Sequence, residues 1–151
     1  MRKLLDINTW LALSLEGHPQ HASARRWYEQ TSLPAGALLF CRQTEIGVLR
    51  LITQQRVMER CGLHALSNTA ALEFLARVCA DPVVARAEEP PATRSLWLQI
   101  ARSPFPSPNV WMDAYLAAFA IALDTEMITF DRDFKTYERH GLKLNLLSGT
   151  L

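Results

Sequence analysis

At 151 residues and 49% hydrophobic content, the chain suits one domain around a single sizeable core, with no room for a second. A formal net charge of +1 excludes a protein that holds nucleic acid by bulk electrostatics, so any such ligand must be met by a local basic rim. Three cysteines, Cys41, Cys61 and Cys79, are odd in number, widely spaced and without a CxxC pair, which argues against a disulfide scaffold or a zinc site.

The chain opens with a short apolar strand over 3–7 carrying Asp6 near its C-terminal end, and Asn8 offers the side-chain oxygen that opens a helix over 9–16. Asp6 breaks the apolar run and no small-residue cleavage site follows, so the N-terminus does not read as a signal peptide. Pro19 starts a helix over 20–31; it falls between His18 and His21, whose spacing could otherwise place both on one helix face as metal ligands. Leu11, Leu13 and Leu15 with Trp27 and Tyr28 form an apolar face on this helix pair, either buried or free to meet a partner. A strand over 37–40 precedes a helix over 43–54, whose stripe is Ile46, Leu49 and Ile52 and whose first turn holds Glu45.

The second half continues with a helix over 67–79, a strand over 83–86 and a helix over 92–102, punctuated by Pro82, Pro90 and Pro91. Pro104, Pro106 and Pro108 stiffen a loop before a helix over 110–124, apolar almost all round and so expected to be buried, with Asp113 in its first turn. That helix is too short to span a bilayer. A strand over 126–130 ends directly before Asp131, and a last short strand lies near 143–147. Trp10, Trp27, Trp97 and Trp111 read as core or interface packing rather than base-stacking platforms.

Alternating helices and strands call for a parallel sheet, and open parallel sheets bind ligands beyond the carboxyl ends of their strands, at the topological switch point. Asp6, Glu45, Asp113 and Asp131 each fall at a strand end or a helix start, so all four could converge there. Two unit charges about 4 Å apart repel by roughly 4 kcal/mol at an effective dielectric near 20. Four therefore need protonation, basic partners or a hard divalent ion. An oxygen-only donor set favours the ion, and suits Mg²⁺ or Mn²⁺ better than zinc.

Four segments then carry a specific resemblance: LLDINTWLAL at Leu4–Leu13, RQTEIGVLRL at Arg42–Leu51, VWMDAYLAAFA at Val110–Ala120 and ITFDRDF at Ile128–Phe134. In order and without a large insertion, they resemble the signature segments of PIN-domain ribonucleases, and more narrowly the VapC-type toxins of prokaryotic toxin–antitoxin pairs. The stretch HPQHASARRWYEQ is similar to the second helix of that group.

The resemblance implies a three-layer α/β/α domain with a mainly parallel sheet, and Mg²⁺- or Mn²⁺-dependent cleavage of single-stranded or loop RNA. Its acidic quartet falls on Asp6, Glu45, Asp113 and Asp131, with Asp133 a fifth candidate and Asn8 and Asn109 as polar supports. In the mechanism so implied, Asp6, Asp113 and Asp131 hold an ion that lowers the pKa of a water, while Glu45 orients or deprotonates that water or helps hold a second ion. The basic rim is sought first at Arg42, Arg132 and Lys135, which flank proposed ligands, and then at Arg25, Arg26 and Arg50. A small cognate antitoxin, a homodimer and a cytoplasmic location away from membranes complete the expectation. A phosphoaspartyl enzyme would want an acid where Asn8 stands, and a receiver domain a lysine where Asp131 stands. A catalytically silent PIN-like module capturing a basic peptide in the acidic pocket is the non-enzymatic alternative.

Overall fold

The computed structural model describes residues 1–149. Five strands, β1 (Lys3–Leu5), β2 (Leu38–Phe40), β3 (Val84–Arg86), β4 (Glu126–Thr129) and β5 (Lys143–Leu146), form one sheet in the order β3-β2-β1-β4-β5. Every pairing is parallel; β1 sits at the centre, with Leu4 beside Leu39 of β2 and Met127 of β4.

Parallel strands require crossover connections, and helices supply most of them. Between β1 and β3 the chain makes α1 (Ile7–Ser14), α2 (His21–Gln30), α3 (Arg42–Ile52), α4 (Gln55–Glu59) and α5 (Asn68–Cys79). From β3 it runs through α6 (Thr93–Ile100) and α7 (Val110–Leu123) to β4 on the opposite side of β1, and a 3-10 helix at Arg132–His140 leads on to β5.

Successive residues of a strand face opposite sides of the sheet, so each strand feeds two cores. Leu5, Leu38, Phe40 and Ile128 pack with Trp10, Leu11, Val48 and Ile52 of α1 and α3. Leu4, Leu39 and Met127 pack with Leu116 and Phe119 of α7 and with Phe134. These two apolar layers, with the sheet between them, are the expected three-layer α/β/α arrangement. Trp10 is buried and stacks on Phe40 with ring centroids 3.8 Å apart. Leu11 and Leu15 are buried, and Leu13, Trp27 and Tyr28 pack half-buried against the same cluster, so the apolar face of the first helix pair is core.

Three local expectations are corrected. Helix α1 starts at Ile7 rather than beyond Asn8, because Asp6 is its cap: the Asp6 carboxylate accepts the Thr9 N–H at 2.8 Å, and Asn8 is exposed. Helix α7 is buried along Leu116–Ala120, but Trp111 and Met112 in its first turn are 56% and 47% exposed. Helix α2 begins at His21, and the histidines take separate hydrogen bonds: the Gln20 N–H donates to His18 Nδ1 at 3.0 Å, while His21 Nδ1 meets the Ala12 carbonyl at 2.7 Å. No helix among the described residues is long and apolar enough to cross a membrane.

Candidate active site

The order in which strands are added reverses at β1: the connections after it run towards β3, and the return connection places β4 on its other side. Asp6 follows β1 and Asp131 follows β4, so two carboxylates leave adjacent strands at this switch point. Asp113, in the first turn of α7, arrives from the opposite layer. All three line one open cavity of about 370 Å³, together with Asp133, Asn8 and Asn109.

A single buried hydroxyl organises the floor. Thr129 Oγ1 donates to Asp6 Oδ2 at 2.5 Å and accepts the Asp131 N–H at 2.9 Å, joining residues that are far apart in sequence. The Asp133 N–H in turn donates to Asp131 Oδ1 at 2.9 Å, with Asp131 capping the 3-10 helix. Thr129 was passed over in the sequence, where it reads as one more β-former at a strand end; its place immediately before the FDRDF acids was the available signal.

Electrostatics register the crowding. Burial pushes the Asp6 carboxyl up from its ordinary value, against the hydrogen bonds from Thr129 and Thr9, and Asp131 adds repulsion. Burial, then the charges of Asp131, Asp133 and Asp6, push Asp113 up to about 6. Among the described residues, no basic side chain lines this cavity.

Glu45 stands apart. Its buried carboxylate faces Arg42 at 3.3 Å and Arg86 at 3.8 Å, and it lines a neighbouring cavity with Glu88, Glu89 and Tyr115. The fourth carboxylate thus faces two arginines and lines a cavity beside that of the other three. Arg86, at the end of β3, has no local sequence signal linking it to Glu45; only β2–β3 pairing brings it there. A third cavity bridges the two, sharing Ile7, Gln43 and Met112 with the acidic one and Arg42, Glu89 and Tyr115 with that of Glu45. Arg132 and Lys135 are exposed on the 3-10 helix beside Asp131, whereas Arg25 is engaged with Glu29 at 2.9 Å.

The acidic cavity offers hard oxygen donors and excess negative charge, which fits a hard divalent cation. Among the described residues no three acidic, histidine or cysteine side chains converge closely enough to grip an ion directly. That is compatible with an ion such as Mg²⁺, which keeps several of its waters and takes only one or two carboxylates.

Comparison with known proteins adds a lineage to this geometry. A family profile described as the PIN domain matches residues 3–139. Ribonuclease VapC41 of Mycobacterium tuberculosis is 39% identical over 146 residues, covering 96% of this chain and 98% of that protein. Ribonuclease VapC44 of the same species is 34% identical over 134 residues, covering 87% of each. Among solved structures, Mycobacterium tuberculosis VapC20, described as a Sarcin-Ricin loop cleaving toxin, superposes with a TM-score of 0.60 at 18% identity, over 88% of this chain and 92% of that one. VapBC2 from Rickettsia felis, bound to a DNA fragment from their promoter, gives a TM-score of 0.60 at 12% identity, covering 98% and 100%. At these identities the structural matches speak for the fold.

Proposed function

Because this chain belongs to the PIN-domain family, we propose that it is a divalent-metal-dependent endoribonuclease, the toxin of a VapBC-type pair, that hydrolyses RNA phosphodiesters. The observation that carries the reading is the meeting of Asp6, Asp113 and Asp131, with Asp133, in one cavity at the sheet's switch point.

Asp6, Asp113 and Asp131 would hold the ion, Mg²⁺ or Mn²⁺, directly or through its bound waters, with Asp133 adding charge and Asn8 and Asn109 steadying the carboxylates or water around it. The ion, when bound, makes hydroxide available from water near neutral pH and offsets charge on the phosphodiester. Thr129 fixes the Asp6 carboxylate and the Asp131 backbone in one register, so two of the three acids are preorganised before any cation arrives. Glu45 acts from the adjoining cavity, where exchange of its arginine partners would free it to orient the attacking water or to support a second ion. Arg42, Arg132 and Lys135 are exposed round the rim, where they would contact phosphates on either side of the cut.

A small antitoxin partner accords with the relatives' VapC names and with the VapBC2 assembly; a basic side chain entering the acidic cavity would silence it. A homodimer is proposed on the same likeness, and a cytoplasmic site of action follows from an RNA substrate.

Mapping of new RNA 5′ ends after induced expression tests the reading, beside an Asp113→Asn control. Discrete cuts that vanish in the control, and in vitro on addition of EDTA, are the expected result. Identical cleavage by the variant or in excess EDTA would sink it.

A further inference from the structure

An aromatic pocket on the far side of the proline loop has no part in the chemistry above. Phe105 is 74% exposed, Trp111 56% and Leu98 41%. With Arg102, Ser103 and Ser107 they wall an open pocket of about 590 Å³, within the size range of small-ligand sites. Large exposed aromatics gathered in one place mark an interaction surface, whereas scattered ones need no explanation.

Hydrogen bonds tie down the backbone around this pocket. Trp97 Nε1 donates to the Trp111 carbonyl at 2.8 Å, tying the first turn of α7 to α6. Ser103 Oγ accepts the Phe105 N–H at 3.2 Å and lies 3.4 Å from Ser107 Oγ, while Pro104, Pro106 and Pro108 limit the loop's backbone freedom.

The pocket also adjoins the acidic cavity. Ser107 lines one and Pro108 the other, and consecutive Cα atoms are about 3.8 Å apart. Phosphates of an RNA laid across the acidic cavity are repelled by the carboxylates there, so the strand needs anchorage just outside. Arg102 has no ion-pair partner among the described residues and offers a free guanidinium to a phosphate. Two aromatic faces, a free cation and two hydroxyls suit an unpaired nucleotide: base on ring, phosphate on arginine.

We propose that this pocket, walled by Phe105, Trp111, Leu98 and Arg102, is a stacking subsite for an unpaired base of RNA whose phosphodiester lies at the acidic cavity. The inference rests on the nuclease reading and deepens it, placing a base contact outside the acidic cavity. Loss of one stacked base is expected to cost roughly tenfold in affinity, about 1.4 kcal/mol.

Binding of fluorescein-labelled oligoadenylate and of an abasic oligomer of equal length tests this in the Asp113→Asn background with Mg²⁺ present. Trp111→Ala should weaken oligoadenylate about tenfold and leave the abasic oligomer unchanged; Trp111→Phe should recover part of the loss, and Arg102→Gln should weaken both oligomers. Equal affinity with and without the Trp111 ring, or no binding by the parent, would overturn the subsite. So would a change in oligomeric state on Trp111→Ala with RNA affinity intact, which would make the patch a contact between copies. If the chain with Asp113 intact cuts no RNA yet Trp111-dependent binding persists, the nuclease reading falls while the subsite stands.

Discussion

Thr129 is the side chain on which the arrangement of acids most depends, since its hydroxyl serves Asp6 and the Asp131 backbone at once. Thr129→Val keeps the shape but leaves a buried carboxylate oxygen without its donor and a backbone N–H without its acceptor. A buried group stripped of its partner costs about 1–3 kcal/mol, so urea unfolding should show a loss of that order, accompanied by weaker Mn²⁺ binding in calorimetry. Thr129→Ser, which keeps the hydroxyl, should restore most of the metal affinity. Asp113 has the opposite effect on stability. Its carboxyl keeps its proton up to about 6 in the folded protein, whereas an unfolded aspartate releases it near 3.8. The folded state therefore binds more protons in that window, and metal-free stability should fall as pH rises from about 4 to 6 and then level off. The carboxyl is only half-buried, so solvent screening holds the effect to the order of 1 kcal/mol. Thermal melts against pH check this: Asp113→Asn should flatten the decline, and Mn²⁺ should reverse it in the parent.

Among the elements, the tightest approach lies away from the acids. A Cβ on Gly17, just after α1, would sit 1.9 Å from the Cys61 carbonyl oxygen, just after α4. The obstacle is backbone and cannot swing aside, so Gly17→Ala should destabilise by roughly 2–3 kcal/mol, at the upper end of overpacking costs. At about 2–4 °C per kcal/mol for a chain of this size, melting should drop by several degrees, with Mn²⁺ affinity unchanged because the clash is remote from the cavity. An unaltered melting temperature would show that the turn relaxes freely. Helix α4 and the 3-10 helix were also the elements hardest to foresee. Helix α4 spans five residues and buries only Met58, too little for a period to emerge. The 3-10 helix buries only Phe134 and Tyr137 among polar neighbours, and its three-residue repeat is not the one an amphipathic α-helix prints on a sequence.

At the scale of the whole molecule, most of the fold was legible because a parallel sheet leaves apolar strands of three or four residues between amphipathic helices, and proline marks several of the junctions. Asp6, Asp113 and Asp131, which share a cavity with Asp133, were legible for the same reason: each stands beside a strand end or in a helix's first turn. Glu45 stands at a helix start too, but its partner Arg86 reaches it only through β2–β3 pairing, which no local pattern encodes. The exposure of Trp111 was hidden likewise, since one apolar run can be core at its middle and surface at its beginning.

The central place of β1 also governs when the molecule becomes complete. Its neighbour β4 lies near the other end of the polypeptide, and the Thr129–Asp6 bond spans 123 positions. Translation delivers the N-terminus first, so the first strand emerges from the ribosome long before the segment that seats its carboxylate. A polypeptide abandoned part-way through synthesis carries Asp6 on a bare strand edge, without Asp131 beside it. The linkage of Asp6 to Asp131 through Thr129 is therefore made only once β4 has joined β1.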